Sequence, residues 1–597
     1  MAGTNYEYSA LPEGYFRLLT IVSVDNEEIT CELENFLLDE APEYTAFSYV
    51  WGKDPLTSER IICDGKSLAI TPHLHETIHH LHALVPIIKI WIDAICINQA
   101  DLAERAVQTR RMNSVYGSAQ KVLAWLGKGD DNSDRAMDRI EDINQKLTLI
   151  LQDDTPENKN FIDNWLGKDT LSSTSLPDTN DSIWHALGQI YSQPWFTRLW
   201  IFQEVVLAKQ IVVAHSKRRV EWNALTTLAT GLRRANLIGL IGGTPSIISD
   251  IKRAFLAIGT FRIAKNMMER ENRSLLTFTR ISRDKDVTQC VDRIYGLLGL
   301  VSPMVASQVA VDYSKKWWQV YIQYGKLQLQ SEPTLLLLSM SASQERPTGL
   351  PSWCPNFDSP PKDPFSLAGV IGYQAGFESW EDRLKPNVQI SDSNHIQIFG
   401  FRVDYVRQVV GSPKHCFETE PSYGPSGSSA LLLDYESRCL KVSQDAYDSE
   451  NEVPEAHWRT LTADADFYSR SPLPPSVLDD YSRVKKLWKT RRDQTSPDPY
   501  SVPESERQGN LNYHQNWEAK RTRTFFSTRD GRVGLGPCDL QAEDVICVLY
   551  GGAPLFVLRF NDSEEAQLVG DAFVYGLMDL KSLPADKRGK DEWFTIC

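Results

Sequence analysis

The sequence predicts an α/β protein with a mainly parallel β-sheet in its N-terminal part, then a helical region and a strand-rich C-terminal part. Residues 87–127 are typical of a strand, a loop, a helix and a second strand, which is the order of a parallel βαβ unit. Residues 225–330 have helical periodicity, and residues 524–579 combine strand-like composition with many turn glycines. The predicted domain boundaries are 1–225, 226–345 and 346–597.

The chain begins with segments that favour β-strands because of their β-branched and aromatic residues. These segments are residues 15–24, 29–37, 44–50 and 61–70. The last one contains Asp64-Gly65, a dipeptide typical of a two-residue hairpin turn. We therefore expect a hairpin there.

The βαβ pattern follows a predicted helix. Thr71-Pro72 has the residue types that commonly begin a helix, which we expect to end near residue 84. The next elements are predicted at 87–92 (strand), 100–117 (helix) and 121–126 (strand). Asp93 directly follows the first of these strands, and open α/β sheets bind their ligands at the carboxyl ends of strands. This loop is therefore a candidate site.

Two polar segments are predicted to be insertions. Residues 153–182 are rich in Ser, Thr, Asp and Asn, which predicts a mobile insertion in the first domain. Residues 411–523 contain proline-rich polar stretches, and we expect loops and some helix there within the C-terminal domain.

Composition argues against several classes of protein. The formal net charge is −15, from 78 acidic and 63 basic residues, which disfavours a general nucleic-acid binder because such proteins neutralise phosphates. The sequence shows no secretory signal and no apolar run of the roughly 18 residues that a membrane span needs. Ten cysteines without a CxxC pair favour reduced thiols and a cytoplasmic location.

Four blocks, in this order and at these separations, carry a specific resemblance. They are YTAFSYVWG at 44–52, the stretch 91–127 with Trp91, Asp93, Asn98-Gln99 and Trp125-Leu126-Gly127, PWFTRLW at 194–200 followed by Gln203-Glu204, and DRIYGLLGL at 292–300. Together they resemble the heterokaryon incompatibility (HET) domain family of filamentous fungi. This resemblance implies a role in fungal non-self recognition, with a protein partner from the incompatibility system and death of fused, genetically unlike cells.

The HET family is also distantly similar to TIR domains, which have a flavodoxin-like parallel sheet and of which some cleave NAD. The cleaving TIR domains carry a glutamate four residues after a tryptophan, in a W-C-x-x-E motif. Trp200 and Glu204 have that spacing, with Ile201 in place of the cysteine. The resemblance thus implies Glu204 as the catalytic residue, NAD as a substrate rather than a cofactor, and self-association.

The chemistry of such a reaction asks for one carboxylate. Positive charge develops on the ribose ring as neutral nicotinamide leaves, and a carboxylate beneath the ring stabilises it. Aromatic rings of Trp195, Phe196 and Trp200 are predicted to line the pocket. The candidate substrate-binding residues are Tyr49, Trp51, Gly52, Asp93, Arg198 and Trp200.

Each candidate also has a structural interpretation. Glu204 in an apolar helix is also consistent with a structural or interface role, such as an ion pair to a buried arginine, for example Arg198 or Arg293. Asp93 is consistent with capping of the next helix or with hydrogen bonds to loop amides, and Asn98 is the leading cap candidate for that helix. Tyr49 and Trp51 are consistent with core packing. Glu104 and Gln108 are expected to brace the site or the sheet edge.

Five histidines lie between residues 73 and 82. His75 and His79 have the i, i+4 spacing that can hold zinc on a helix. The segment has no glutamate in an H-E-x-x-H arrangement and no nearby cysteine pair. We therefore predict no metal site.

Three functional hypotheses remain at this stage. The first is an incompatibility effector that cleaves NAD with Glu204. The second is a non-catalytic signalling or scaffold module that acts by protein contacts. The third is an enzyme of another class that acts on a fungal metabolite.

Overall fold

The computed structural model describes most of the chain, in the following ranges: residues 4–25, 28–52, 59–84, 89–152, 175–235, 237–242, 244–269, 273–332, 334–341, 347–359, 367–376, 388–391, 393–412, 425–448, 455–466, 470–493, 517, 520–583 and 590–597. The chain divides into two compact units, Met1–Lys315 and Lys316–Cys597. The three-part division made from the sequence remains a prediction. Of the predicted mobile insertion, residues 153–174 lie outside the described residues.

A nine-stranded sheet forms the centre of the first unit. Its strands are β1 (Tyr15–Asp25), β2 (Glu28–Leu37), β3 (Thr45–Ser48), β4 (Glu59–Cys63), β5 (Lys66–Ile70), β6 (Lys89–Trp91), β7 (Lys121–Trp125), β8 (Ile211–His215) and β9 (Arg218–Glu221). They are hydrogen-bonded in the order β5-β4-β2-β1-β6-β3-β7-β8-β9.

The sheet is mixed, so the prediction of a mainly parallel sheet is confirmed only in part. Its inner strands β6, β3, β7 and β8 are parallel, as the βαβ pattern indicates. Beyond them, β1 is antiparallel to both β2 and β6, and β4–β5 and β8–β9 are hairpins. For β1–β2, β4–β5 and β8–β9 the reason is the length of the connections, since strands joined by a few residues can only pair antiparallel. Asp64 (φ 50°) and Gly65 (φ 74°) form the predicted β4–β5 turn.

Helices pack on this sheet and extend the unit beyond it. They are α1 (Pro72–Leu84), α2 (Asp93–Cys96), α3 (Leu102–Ser118), α4 (Asp131–Gln152), α5 (Ser182–Tyr191), α6 (Ile201–Val206), α7 (Trp222–Arg234), α8 (Ile238–Gly242), α9 (Pro245–Glu269), α10 (Leu275–Ile281), α11 (Asp292–Tyr295) and α12 (Pro303–Ala306). A 3-10 turn, Pro194–Thr197, precedes α6.

Helix α3 is fixed at its start by the side chain of Asp101. Asp101 caps it, accepting hydrogen bonds from the amides of Ala103 and Glu104, so the expectation that Asn98 caps this helix is wrong. The side chain at position 101 lies closer to the first free amides of the helix. Glu104 then binds Arg17 of β1 through both carboxylate oxygens, at 2.6 and 3.0 Å. This buried pair ties α3 to the sheet, in agreement with the expected bracing.

The second unit contains a closed ring of strands. Its strands are β10 (Val388–Ile390), β11 (Ile396–Gly411), β12 (Thr524–Thr528), β13 (Val533–Gly536), β14 (Val545–Leu549), β15 (Leu555–Phe560), β16 (Ala566–Val574) and β17 (Glu592–Ile596). Pairing runs from β11 through β12, β13, β16, β15 and β14, and β14 pairs back onto β11. The predicted strand-rich C-terminal region is therefore confirmed.

The second unit also contains helices, which are α13 (Trp317–Ser331), α14 (Leu336–Met340), α15 (Pro425–Ala446), α16 (Glu455–Leu461) and α17 (Val477–Asp493). The last three fall inside the predicted insertion at 411–523, of which residues 413–424, 449–454, 467–469, 494–516 and 518–519 are outside the described residues. Among the helices that the structure describes, none has both the length and the apolar character needed to cross a bilayer.

Candidate functional site

The predicted site lies where β3 and β6 end. Because these strands are parallel neighbours, their carboxyl ends meet at one edge of the sheet. Ser48 is the last residue of β3 and Tyr49 follows it, while Asp93 begins α2 two residues after β6 ends. Helix α6 brings Glu204 to the same edge. The sequence-predicted residues Tyr49, Asp93 and Glu204 therefore converge from segments up to 155 positions apart.

Glu204 is the centre of a buried hydrogen-bond chain. The side chain of Trp195 donates from Nε1 to the Ser48 hydroxyl at 2.8 Å, and that hydroxyl donates to the Glu204 carboxylate. The Tyr116 hydroxyl of α3 is a further hydrogen-bond partner of Glu204. Only 4% of Glu204 is exposed. In this arrangement the carboxylate is covered rather than open to a ligand.

Burial raises the pKa of Glu204 to about 7, since removing a carboxylate from water disfavours its charged form. The positive charge of Arg198 and the hydrogen bond from Ser48 act in the opposite direction, and the negative charge of Asp93 adds to the increase. Among the described residues, no cationic group lies within the 4.0 Å of an ion pair with Glu204. The closed ion pair with Arg198 or Arg293 that the sequence left open is thus not formed; Arg293 instead donates to the carbonyls of Arg283 and Lys285.

Arg198 is the cation of this site. It is half-buried between the 3-10 turn and α6, and its guanidinium donates to the carbonyl oxygen of Tyr49. Its charge lowers the pKa of three carboxyl groups: Asp93, Glu204 and Asp292. Arg198 therefore acts electrostatically on all three groups without a direct ion pair to Glu204.

Asp93 and Trp51 form the more accessible part of the site. Trp51 is 37% exposed and donates from Nε1 to the Asp93 carboxylate at 2.9 Å. Burial raises the pKa of Asp93, whereas the charge of Arg198 and the bond from Trp51 lower it. Asp93 also accepts from the amide of Ala94 at 2.7 Å, so it holds the first turn of α2 and does not cap α3.

Tyr49 and Gly52 border the same loop. Tyr49 is 4% exposed, and its ring stacks on Phe47 with centroids 5.2 Å apart. Burial and the charge of Asp93 raise the pKa of Tyr49 well above its usual value. Gly52 has a φ of +85°, and a Cβ there would lie 3.2 Å from that of His73. Glycine suits this turn on both counts.

Trp200 leads to two residues that the sequence reasoning missed. Its Nε1 donates to Asp292 at 3.1 Å, and the Tyr313 hydroxyl donates to the other oxygen of that carboxylate at 3.0 Å. Burial raises the pKa of Asp292. The DRIYG block contained Asp292, but only three-dimensional contact shows that this block belongs to the site.

The aromatic residues of the 3-10 turn form core. Trp195 and Phe196 are both 0% exposed, and both pack against Trp222 of α7. The expectation that these two rings line an open pocket is therefore wrong for this arrangement. Trp222 of α7 covers both rings, and α9 also packs against this 3-10 turn.

The histidine segment shows no metal arrangement. The rings of His75 and His79 lie 4.9 Å apart on α1. Among the described residues, no group of three or more His, Cys, Asp or Glu side chains is placed to hold a metal ion.

Comparison with known families agrees with this geometry. Residues 44–204 match the family described as Heterokaryon incompatibility protein (HET). The chain therefore carries a HET domain. The match begins just before β3 and ends at Glu204, while Asp292 and Tyr313 lie outside it.

The HET-domain chain has a second family match over residues 501–596, described as the Het-6 beta-barrel domain. This segment contains all but two strands of the second sheet, β10 and β11. Along its whole length, the chain is 24% identical to Heterokaryon incompatibility protein 6, OR allele, of Neurospora crassa, in an alignment covering 100% of this chain and 98% of that protein. No solved structure matches the chain.

Proposed function

We propose that this protein acts in heterokaryon incompatibility, in the cytoplasm, as an effector whose HET domain cleaves the N-glycosidic bond of NAD. The whole-length similarity to an incompatibility protein supports the biological role. The convergence of Glu204, Asp93 and Arg198 at the carboxyl ends of β3 and β6 supports the enzymatic part. That convergence is the observation on which the proposal depends.

Glu204 has the chemistry that the reaction needs. With a pKa near 7, part of the population is ionised at neutral pH, and an ionised carboxylate beneath a ribose stabilises the cation formed as nicotinamide leaves. In this proposal Arg198, the cation near Tyr49, binds a phosphate, and the exposed ring of Trp51 stacks on a base.

The carboxylate must become accessible for this to happen. Ser48, Trp195 and Tyr116 cover Glu204, so catalysis belongs to a second state in which these side chains no longer cover the carboxylate. We infer that self-association or a partner protein of the incompatibility system produces that state and thereby triggers cell death. A silent resting form suits an effector that must be harmless before fusion.

The second candidate is a signalling module that acts by contact alone. The 4% exposure of Glu204 favours it, because a carboxylate satisfied by buried donors already has a structural role.

Nicotinamide release from NAD by the full chain separates the two candidates. The variants are Glu204→Gln, which keeps a hydrogen-bond acceptor for Ser48, and Glu141→Gln, at an exposed position of α4, as the matched control. Release that disappears in Glu204→Gln but persists in Glu141→Gln supports cleavage. The contact module is supported if no assembly state releases nicotinamide and Glu204→Gln still causes incompatibility in cells. Turnover of a different small molecule would support an enzyme of another class.

A further inference from the structure

A cavity of about 690 Å³ lies in the first unit, away from the carboxylates described above. Helices α4, α7 and α9 form its walls, with Asn144, Thr227 and Asn266 among the lining residues. Its volume falls within the range of roughly 300–1,000 Å³ that is usual for small-molecule sites. The proposed NAD chemistry makes no use of it.

Four cationic side chains line this cavity: Arg233 and Arg234 at the end of α7, and Arg262 and Lys265 on α9. All four are exposed. No aspartate or glutamate is among the described residues that line the cavity, and no acidic group described by the structure lies within ion-pair distance of these four. In a chain of net charge −15, this is a local excess of positive charge. Such an excess favours a ligand with several negative charges.

The helical spacing gathers polar groups beside these cations. Asn223, Thr227, Thr230 and Arg234 recur at three- and four-residue intervals along α7, so they share one face of that helix. On α9, Arg262 and Asn266 are four residues apart and share a face in the same way. Side chains of this kind donate hydrogen bonds to phosphate oxygens, and the arginine guanidinium does so in bidentate fashion.

The inner wall is aromatic. Trp222, Phe255 and Phe261 line the cavity, and Trp222 is half-buried, so part of its ring faces open space. Flat rings such as nucleobases stack on tryptophan. The cationic rim and the adjacent aromatic wall together suit a ligand that carries several negative charges at one end and a flat ring at the other.

We propose that this cavity is a binding site for a nucleoside polyphosphate, with the phosphates on Arg233, Arg234, Arg262 and Lys265 and the base against Trp222. The site adjoins the Glu204 site without sharing its carboxylates. Val205 lines the cavity and is the neighbour of Glu204, and the Trp222 ring contacts Trp195 at 5.8 Å between centroids. Occupancy is therefore in contact with the residues that cover Glu204.

Calorimetric titration of the full chain with ATP tests the site. ATP lacks nicotinamide, so its binding is measured whether or not the chain cleaves NAD. We expect saturable binding that weakens about tenfold or more in Arg233→Gln/Arg234→Gln and in Arg262→Gln/Lys265→Gln. Lys252→Gln is the matched control, because Lys252 is an exposed cation of α9 that is not among the lining residues. Binding by this control should match the unmodified chain.

A second set of titrations tests recognition of the base. ATP should bind more tightly than inorganic triphosphate, and Trp222→Phe should narrow that difference while leaving triphosphate affinity unchanged. Thermal unfolding of each variant confirms that it is folded. The proposal is overturned by the absence of saturable ATP binding, by equal affinities for ATP and triphosphate, or by ATP binding that survives both double substitutions. The proposal would also be overturned if anionic phospholipid vesicles captured the chain through these four cationic side chains while ATP did not bind.

Discussion

The hydroxyl of Ser48, at the end of β3, donates a hydrogen bond to the carboxylate of Glu204 on α6, 156 positions later in the chain. The same hydroxyl accepts from the indole of Trp195. One small side chain therefore connects the parallel core of the sheet to the helix that carries the candidate catalytic group.

Ser48→Ala should destabilise the protein by about 1–3 kcal/mol, because the buried indole N–H of Trp195 loses its acceptor and Glu204 loses a donor. Urea-induced unfolding measures the change. Ser114→Ala removes an exposed hydroxyl that bonds only to its neighbour Asn113, and it should change stability by less than about 0.5 kcal/mol. Equal effects of the two substitutions would contradict the role given to Ser48.

Glu204 should make stability depend on pH in the direction opposite to that of an ion-paired carboxylate. Its pKa is about 7 in the folded state and 4.5 for the same group exposed to water, so the folded state binds the proton more tightly. This contribution is fully present below pH 4.5 and is lost as the pH rises to about 7. It amounts to about 3 kcal/mol.

The comparison of unmodified chain with Glu204→Gln isolates this contribution. The variant keeps a neutral side chain at all pH values, so its stability relative to the unmodified chain should increase from pH 5 to pH 8. Unfolding in urea at several pH values gives the difference. A constant difference across that range would show that Glu204 titrates normally.

Gly188 on α5 lies against the backbone of α8. An added Cβ would be 1.9 Å from the carbonyl oxygen of Ile241, and this backbone atom cannot easily move away. Gly188→Ala should therefore cost about 1–3 kcal/mol or more despite the better helix propensity of alanine. Gly239→Ala, in α8 with open space around the new Cβ, should instead stabilise by about 0.4–1 kcal/mol. Thermal unfolding of both variants checks the opposite signs.

Two arginines of the second unit should differ sharply in their effect. Arg523 and Asp571 form a pair at 2.6 Å with side chains 2% and 0% exposed, whereas the pair of Arg529 with Glu543 is largely exposed. Arg523→Met leaves a buried carboxylate without its cation and should cost about 3–5 kcal/mol. Arg529→Met should cost less than about 1 kcal/mol. Unfolding followed by a probe of the second unit measures both, and similar values would contradict the assignment of Arg523–Asp571 as the buried pair.

The sequence predicted the edge of the sheet where the candidate site lies, because the carboxyl end of a strand can be recognised from the local residue pattern. An apolar run ending in Asp93 and a second one ending near Trp51 both indicate carboxyl ends of strands. Residue pattern does not specify pairing between distant segments, and for that reason the antiparallel pairing of β1 with β6 was not predicted.

The residue pattern of the sequence does not predict contacts between distant segments. The spacing of Trp200 and Glu204 was visible, but the two side chains bind different partners, Asp292 and Ser48. Nothing in the composition of Phe196 distinguishes a pocket wall from a core residue, and its 0% exposure is a result of packing under α7 and α9.

The position of Asp292 and Tyr313 has a practical consequence for work on isolated fragments. A fragment that ends with the family match at residue 204 would retain the candidate carboxylate. It would lose Asp292, which accepts the hydrogen bond from the Trp200 indole, and it would lose β8, the outer one of the four parallel strands. Inactivity of such a fragment would then be explained by the loss of these structural contacts. Activity should therefore be tested on a fragment that extends through Lys315.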